Sequence, residues 1–228
     1  ATVKPHATIP SVMAAAKAVL NESQIENGVA VVDLGGATTS VAVFEEGDLQ
    51  YVGVVSMGGV NITNDLAIGL KTDPEVAEKV KLQHSAAIAR SETRKVSIKH
   101  EKETLFFDQA EIDEIVEARL EEIFELVNKE LKKAGRAGQL PSGAVLTGGT
   151  ANLKGIAEYA KSQLGVAVRV GKPHGFGGVA DEIDKPHFAA AVGLMLVDAE
   201  AATVRPHGGN TSKKSGGFIK TLLSKFKP

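Results

Sequence analysis

Residues 28–59 read GVAVVDLGGATTSVAVFEEGDLQYVGVVSMGG. The runs GVAVVDLGG, TTSVAVFEEGD and LQYVGVVSMGG are rich in β-branched and apolar residues and are separated by glycine-bearing turns. That pattern predicts a meander of strands at the start of a sheet. The first run delivers Asp33 to its end, and Gly35, Gly36 and the residues around Thr38 make a tight turn into the second. Such a turn suits phosphate. Glycine exposes backbone amides as donors, the hydroxyls of Thr38 and Thr39 can add more, and Asp33 can hold magnesium through water. Taken alone, a D-x-G-G turn fits a plain hairpin equally well.

Downstream, a helix is expected from about Asn61 to Leu70. From Thr72 to about Leu140 the composition turns polar and charged, with a helix opening at Asp73 and Pro74, a hairpin in VSIKHEKETLFF and then a long helix. This stretch predicts an inserted subdomain. In its long helix Asp108 can cap and Glu111 can close a capping box, while Ile112, Ile115, Val116, Leu120, Ile123, Phe124, Val127 and Leu131 form one stripe. Beyond Pro141 the strand, turn and helix pattern returns as GAVLTGG, TANLKGIAEYAKSQLG and VAVRVG, closing with a helix in HFAAAVGLMLV that ends near Asp198. Upstream, SVMAAAKAVL predicts a helix and NESQIENG a polar break. The alternation argues for an α/β layer architecture.

Two further signals carry chemistry. In AVLTGGTANLKGI a strand runs into Gly148 and Gly149 and a helix is expected to open near Thr150, giving a bare backbone at a helix amino terminus, a natural seat for a nucleotide or simply a steric requirement of the turn. In AEKVK, Glu78 and Lys81 share one helical face, a spacing that also describes ordinary solvated pairs. Neither is a Walker loop or a G-x-G-x-x-G fingerprint.

In order and spacing the three signals resemble the actin, heat-shock chaperone and sugar-kinase superfamily, in the half after the inter-domain crossing. Within it the chain is similar to the FtsA family of bacterial cell-division proteins. The residues carrying this are GVAVVDLGGATTSVAVFEEGDL, SMGGVNITNDLAIGL, AEKVKLQHSAA, VLTGGTANLKGI, KPHFAAAVGL and GGFIKTLLSKFKP. The resemblance implies an actin-like, ribonuclease H-like α/β domain, with subdomain 2A in residues 1–71 and 141–198 and an α+β subdomain 2B in residues 72–140. It implies an ATP site with Mg2+, in which Asp33, Gly35, Gly36, Thr38 and Thr39 match the second phosphate motif and Ala37, between them, is a further cofactor-binding position. Gly58 and Gly59 are further implied cofactor-binding residues, Gly148, Gly149 and Thr150 match the adenosine motif, and Glu78 and Lys81 match the pair flanking ribose and adenine.

Ala37 stands where a third glycine is common, and the first phosphate motif has no counterpart here, so no hydrolysis is expected of this half alone and no catalytic residue is assigned. The resemblance further implies self-assembly into filaments, binding of the carboxyl-terminal tail of FtsZ at subdomain 2B, contact with other division proteins, and a place on the cytoplasmic face of the cell membrane at the septum. Arg119 lies where the family has an arginine and is the implied partner contact; among acidic neighbours it also reads as an ordinary solvated arginine. Alternative superfamily readings are a pilus-assembly or rod-shape actin homologue, a chaperone-type ATPase half or a sugar kinase.

Composition adds a separate argument. Residues 201–228 hold six basic and no acidic side chains, so removing them from a chain of net charge −2 leaves −8 on residues 1–200. An acidic body does not suit general nucleic-acid binding, and a basic end suggests an anionic partner of its own. Residues 199–216 read as a flexible linker. In residues 217–228, Phe218, Ile219, Leu222, Leu223 and Phe226 fall on one helical face with Lys220, Lys225 and Lys227 towards its edges and back, the pattern of an amphipathic helix on an anionic membrane. Burying five large apolar side chains sets a ceiling of about 7 to 15 kcal/mol. Ordering the segment offsets most of that, so a single tail is marginal and many copies on a polymer bind better. The chain has no cysteine, and its start, ATVKPHATIP, reads as cut from something longer. Its six histidines are scattered without metal-ligand spacing.

Overall fold

Alternation along β1 (Val29–Leu34) decides how the layers stack. Successive side chains of a strand point to opposite faces, and here Val29 and Val31 enter one buried cluster while Ala30, Val32 and Leu34 enter another. The strand is thus apolar on both sides and sits in the middle of a sheet covered twice. The computed structural model describes residues 8–88, 94–177 and 183–203.

The main sheet has the order β3-β2-β1-β6-β7. β2 (Thr39–Glu45) and β3 (Asp48–Val55) run antiparallel from β1, whereas β6 (Ala144–Thr147) and β7 (Val168–Val170) run parallel to it. Glu46 and Gly47 join β2 to β3 with φ of 53° and 78°, the primed two-residue turn whose twist matches paired strands. The sheet, with helices against both faces, is of the α/β class expected.

The two faces are filled by opposite means. On one, α1 (Ser11–Val19) meets α7 (Ala189–Thr203) through small residues, so closely that a Cβ on Gly193 would lie 1.7 Å from the Ala14 carbonyl oxygen. A 2.6 Å ion pair between Lys17 and Glu200 joins the same two helices. On the other face, α3 (Gly59–Gly69), α5 (Gln109–Lys133) and α6 (Ile156–Leu164) contribute Ile62, Leu66, Leu120, Phe124 and Ile156 to the cluster holding Val32 and Leu34. Flanking α3 is α4 (Pro74–His84), and β4 (Lys95–His100) pairs with β5 (Glu103–Asp108) as a separate two-stranded sheet.

Several expectations are corrected. NESQIENG is not a break: α2 (Glu22–Asn27) forms there because Asn21 Oδ1 accepts from Gln24 N at 2.9 Å while Asn21 N donates to Gln24 Oε1 at 3.2 Å, a reciprocal capping box. At the start of α5, Asp108 caps as expected, but it accepts from Ala110 N at 2.9 Å. The stretch 72–140, expected as an inserted subdomain, packs its hairpin and its long helix into the core of the main sheet. Val96 and Ile98 of its hairpin and the whole apolar stripe of α5 share one cluster with the main sheet. The helix that opens near Thr150 is a single 3-10 turn over Gly149–Asn152; Gly155 follows with φ +76°, and the α-helix α6 begins only at Ile156. α7 continues to Thr203, into the stretch expected to be linker. The rest of that linker and the expected amphipathic helix lie outside the described residues. Among those described, no helix is long and apolar enough to cross a membrane.

Candidate functional site

At the carboxyl ends of β1 and β6 the parallel register sets Asp33 opposite Thr147. The Thr147 hydroxyl, fully buried, donates to Asp33 Oδ1 at 3.0 Å, and the Ser11 hydroxyl, at the start of α1, donates to Oδ2 at 3.5 Å. Burial pushes the Asp33 carboxyl above the usual carboxylate range, and the two hydrogen bonds counter it only in part.

Around this carboxylate the three glycine pairs meet. Gly35 N donates to Thr38 O at 3.0 Å and closes the turn. The carbonyls of Gly35 and Gly36 accept from the amides of Gly59 at 2.9 Å and Val60 at 2.8 Å, which seats the start of α3 directly on the turn. A Cβ on Gly58 would lie 2.6 Å from both carbonyl oxygens. From the other side Thr150 Oγ1 donates to Gly35 O at 3.1 Å. Gly148 has φ +88°, and a Cβ there would lie 2.4 Å from Leu34 O and 2.8 Å from Asp33 Oδ1. Gly36 and Gly149 are different: a Cβ on either would meet no atom within 4 Å. Gly36, Ala37 and Thr38 form an exposed tip whose backbone can receive an anion.

Thr39 departs from expectation. Its side chain is buried and its hydroxyl donates to Met57 O at 2.8 Å, so it ties β2 to the link between β3 and α3.

The wall beside this floor is made of side chains. Lys81 Nζ reaches Glu78 Oε2 at 2.7 Å, Thr63 Oγ1 at 2.8 Å and Gly59 O at 3.1 Å, while Thr63 Oγ1 also lies 2.5 Å from Glu78 Oε2. Burial pushes the Glu78 carboxyl up, but the bonds from Lys81 and Thr63 and the Lys81 charge outweigh it and hold the group below its ordinary value. Because Lys81 bonds the carbonyl of Gly59, whose amide bonds Gly35, wall and floor form one connected unit.

Arg119 is engaged within the chain. Its Nε and Nη2 clamp Asp65 of α3 at 2.5 and 3.0 Å, and Nη1 donates to Glu122 at 2.5 Å. The guanidinium fastens α5 to α3 and is not an idle surface cation. Sequence reasoning missed Ser11, Thr63 and Thr147, and it placed the segment containing His187 at the start of a helix but not in the site. Gly148 N donates to Pro186 O at 3.0 Å and Asn152 Nδ2 lies 3.3 Å from His187 Nδ1, which sets that segment beside the second glycine pair. Only Thr147 left a trace, as the polar end of an apolar strand next to the glycines.

Among the described residues no group of three His, Cys, Asp or Glu side chains could hold a metal ion. Asp33 stands alone, a donor set that suits hydrated magnesium carried in on a phosphate and not a resident ion caged by protein. The expected membrane residues Phe218, Ile219, Lys220, Leu222, Leu223, Lys225, Phe226 and Lys227 lie outside the described residues.

Residues 30–193 match the family model described as "Cell division protein FtsA". Among curated relatives, the FtsA of Bacillus subtilis is 40% identical over 197 residues, 85% of this chain and 43% of that protein. The FtsA of Pseudomonas aeruginosa is 36% identical over 188 residues, 81% of this chain and 45% of that protein. The chain therefore spans about half the length of the curated relatives it matches. Among solved structures, MreB5 of Spiroplasma citri bound to ADP superposes with a TM-score of 0.70 at 16% identity, over 87% of this chain and 61% of that one, a likeness of fold.

Proposed function

We propose, from the premise that this chain belongs to the FtsA family of cell division proteins, that it supplies one side of an ATP cleft in a filament-forming scaffold that ties the FtsZ ring to the membrane. One observation carries the nucleotide part: three glycine pairs far apart in sequence converge on the carbonyl oxygens of Gly35 and Gly36 and the carboxylate of Asp33, while Gly36 and Gly149 remain open to space. Backbone that close-packed on one side and bare on the other is what phosphate recognition requires. Asp33 would hold magnesium through water, the Gly36–Thr38 tip would take phosphate, and the wall of Glu78, Lys81 and Thr63 would stand on the ribose and base side. ATP supplies the anionic phosphates and the base; the protein contributes binding and orientation, and nucleotide serves assembly more than turnover.

The tail sequence carries the membrane part. Its five apolar residues on one face and its three lysines fit an anionic leaflet, so the protein would lie on the cytoplasmic face of the cell membrane at the septum. The FtsZ tail would dock on the stretch 72–140, and division partners and further copies would complete the assembly. We expect the intact chain to co-sediment with anionic liposomes and far less with neutral ones. A version ending at Gly216, and one carrying Phe218→Asp with Phe226→Asp, should stay in the supernatant. If all three behave alike, the tail contacts protein and the tether is lost from the reading.

A further inference from the structure

We propose that Thr147 and Ser11 are positioning residues that fix the Asp33 carboxylate for a hydrated divalent cation, so that both glycine motifs and the start of α1 act together on one metal-facing group. The inference rests on the nucleotide reading of the cleft.

A carboxylate at the end of a strand can turn about its side-chain torsions, and a hydrated magnesium ion demands near-ideal octahedral geometry from whatever holds its waters. Asp33 is held at both oxygens. Oδ1 accepts from Thr147 at 3.0 Å, and Oδ2 lies 3.5 Å from the Ser11 hydroxyl. Thr147 is 0% exposed and sits opposite Asp33 in the parallel ladder, so its hydroxyl cannot be replaced by water without opening the sheet. Gly148 completes the fixture: a Cβ there would stand 2.8 Å from Oδ1. Each oxygen accepts from one protein hydroxyl, and a carboxylate oxygen has a second acceptor direction that a metal-bound water could use. These three residues come from α1, β1 and β6, elements far apart in the chain. A strand that needed only to be apolar would end in valine at position 147, isosteric with threonine but unable to donate.

The test reads the gain in affinity for a fluorescent ATP analogue on adding Mg2+ in place of EDTA, measured on the full-length protein. We expect Asp33→Ala to abolish that gain, Thr147→Val to reduce it at least about three-fold, Thr147→Ser to restore it and Ser11→Ala to reduce it to a smaller degree. Affinity in EDTA and the melting temperature should change little in Thr147→Val, which separates positioning from folding. Ser11 lies at the surface, so Ser11→Ala tests the idea even if the buried substitution unfolds. If Asp33→Ala keeps the full Mg2+ gain, the metal-facing reading of Asp33 itself fails. If Asp33→Ala loses it while Thr147→Val and Ser11→Ala both keep it, the positioning inference is overturned and the cleft reading survives.

Discussion

The floor and the wall of the cleft are built from different materials. The floor, Asp33–Gly36 with Gly58, Gly59 and Gly148, is joined mainly by backbone amides and carbonyls, and at Gly58 and Gly148 by the absence of side chains. The wall is three side chains, Thr63, Glu78 and Lys81, that satisfy one another. A backbone-made surface has no rotamer freedom and no tolerance for added atoms. One made of side chains can lose a member and relax. Under the proposed function phosphate, identical in every nucleotide, would meet the rigid part, and the adaptable part would be left for the variable end of the ligand.

The sharpest way to break that comparison is to add one methyl group in two places. At Gly148 the added Cβ combines φ +88° with a 2.4 Å approach to Leu34 O. Strain and overlap together should cost about 3 kcal/mol or more. At Gly36 the same methyl meets nothing within 4 Å, so the effect on stability should stay within about 0.5 kcal/mol. Urea unfolding midpoints of Gly148→Ala and Gly36→Ala measure both. Equal effects would show that the floor is not backbone-limited.

The wall should respond more gently. Lys81→Met removes a cation that contacts three acceptors, leaving Glu78 with Thr63 alone and Gly59 O without its Lys81 bond. The expected loss is about 1 to 2 kcal/mol, read as a lower urea midpoint with an unchanged slope. Glu78 also gives the wall a pH signature. Its folded pKa is depressed, so its contribution is complete above its ordinary value and is lost as pH falls through the folded one. In Lys81→Met the acid limb of the stability profile should flatten. A limb of unchanged shape would mean that the ion pair does not hold Glu78 down.

How much of this was legible in the sequence follows the same division. Glycines separated by strand-length apolar runs announce a backbone device, so Asp33, Gly35, Gly36, Gly148 and Gly149 could be read directly. Their side-chain partners could not. Thr63 lies 15 positions from Glu78, and no local period links a hydroxyl on one helix to a carboxylate on the next. Thr39 misled for the same reason: its hydroxyl looks identical in sequence whether it faces a ligand or the Met57 carbonyl. The stripe of α5 revealed that one face is buried but not against what, and the shared core across position 140 is a tertiary fact. Arg119 among acidic neighbours read as solvated because Asp65, its main partner, lies 54 residues away. α2 was missed at a local signal that was present, an Asn-x-x-Gln capping box in a polar stretch.

Asp33 belongs to the floor yet is a side chain, and it should yield the smallest effect with the opposite sign. Burial raises its folded pKa above the ordinary value. Folding therefore binds a proton more readily at this site than the unfolded chain does, and the ionised form carries a penalty at neutral pH. That penalty is present above the folded pKa and vanishes as pH falls below the unfolded one. Asp33→Asn keeps an oxygen to accept from Thr147 and removes the charge, so it should melt slightly higher than the parent at pH 7. The difference should shrink towards pH 3, where both proteins are neutral at this position. A stability cost of that sign at Asp33, beside open backbone at Gly36 and Gly149, would fit the proposed cation and phosphate site. An Asp33→Asn protein that melts lower at pH 7 would mean that Asp33 earns its place by holding the strands together, and the floor would then be scaffold alone.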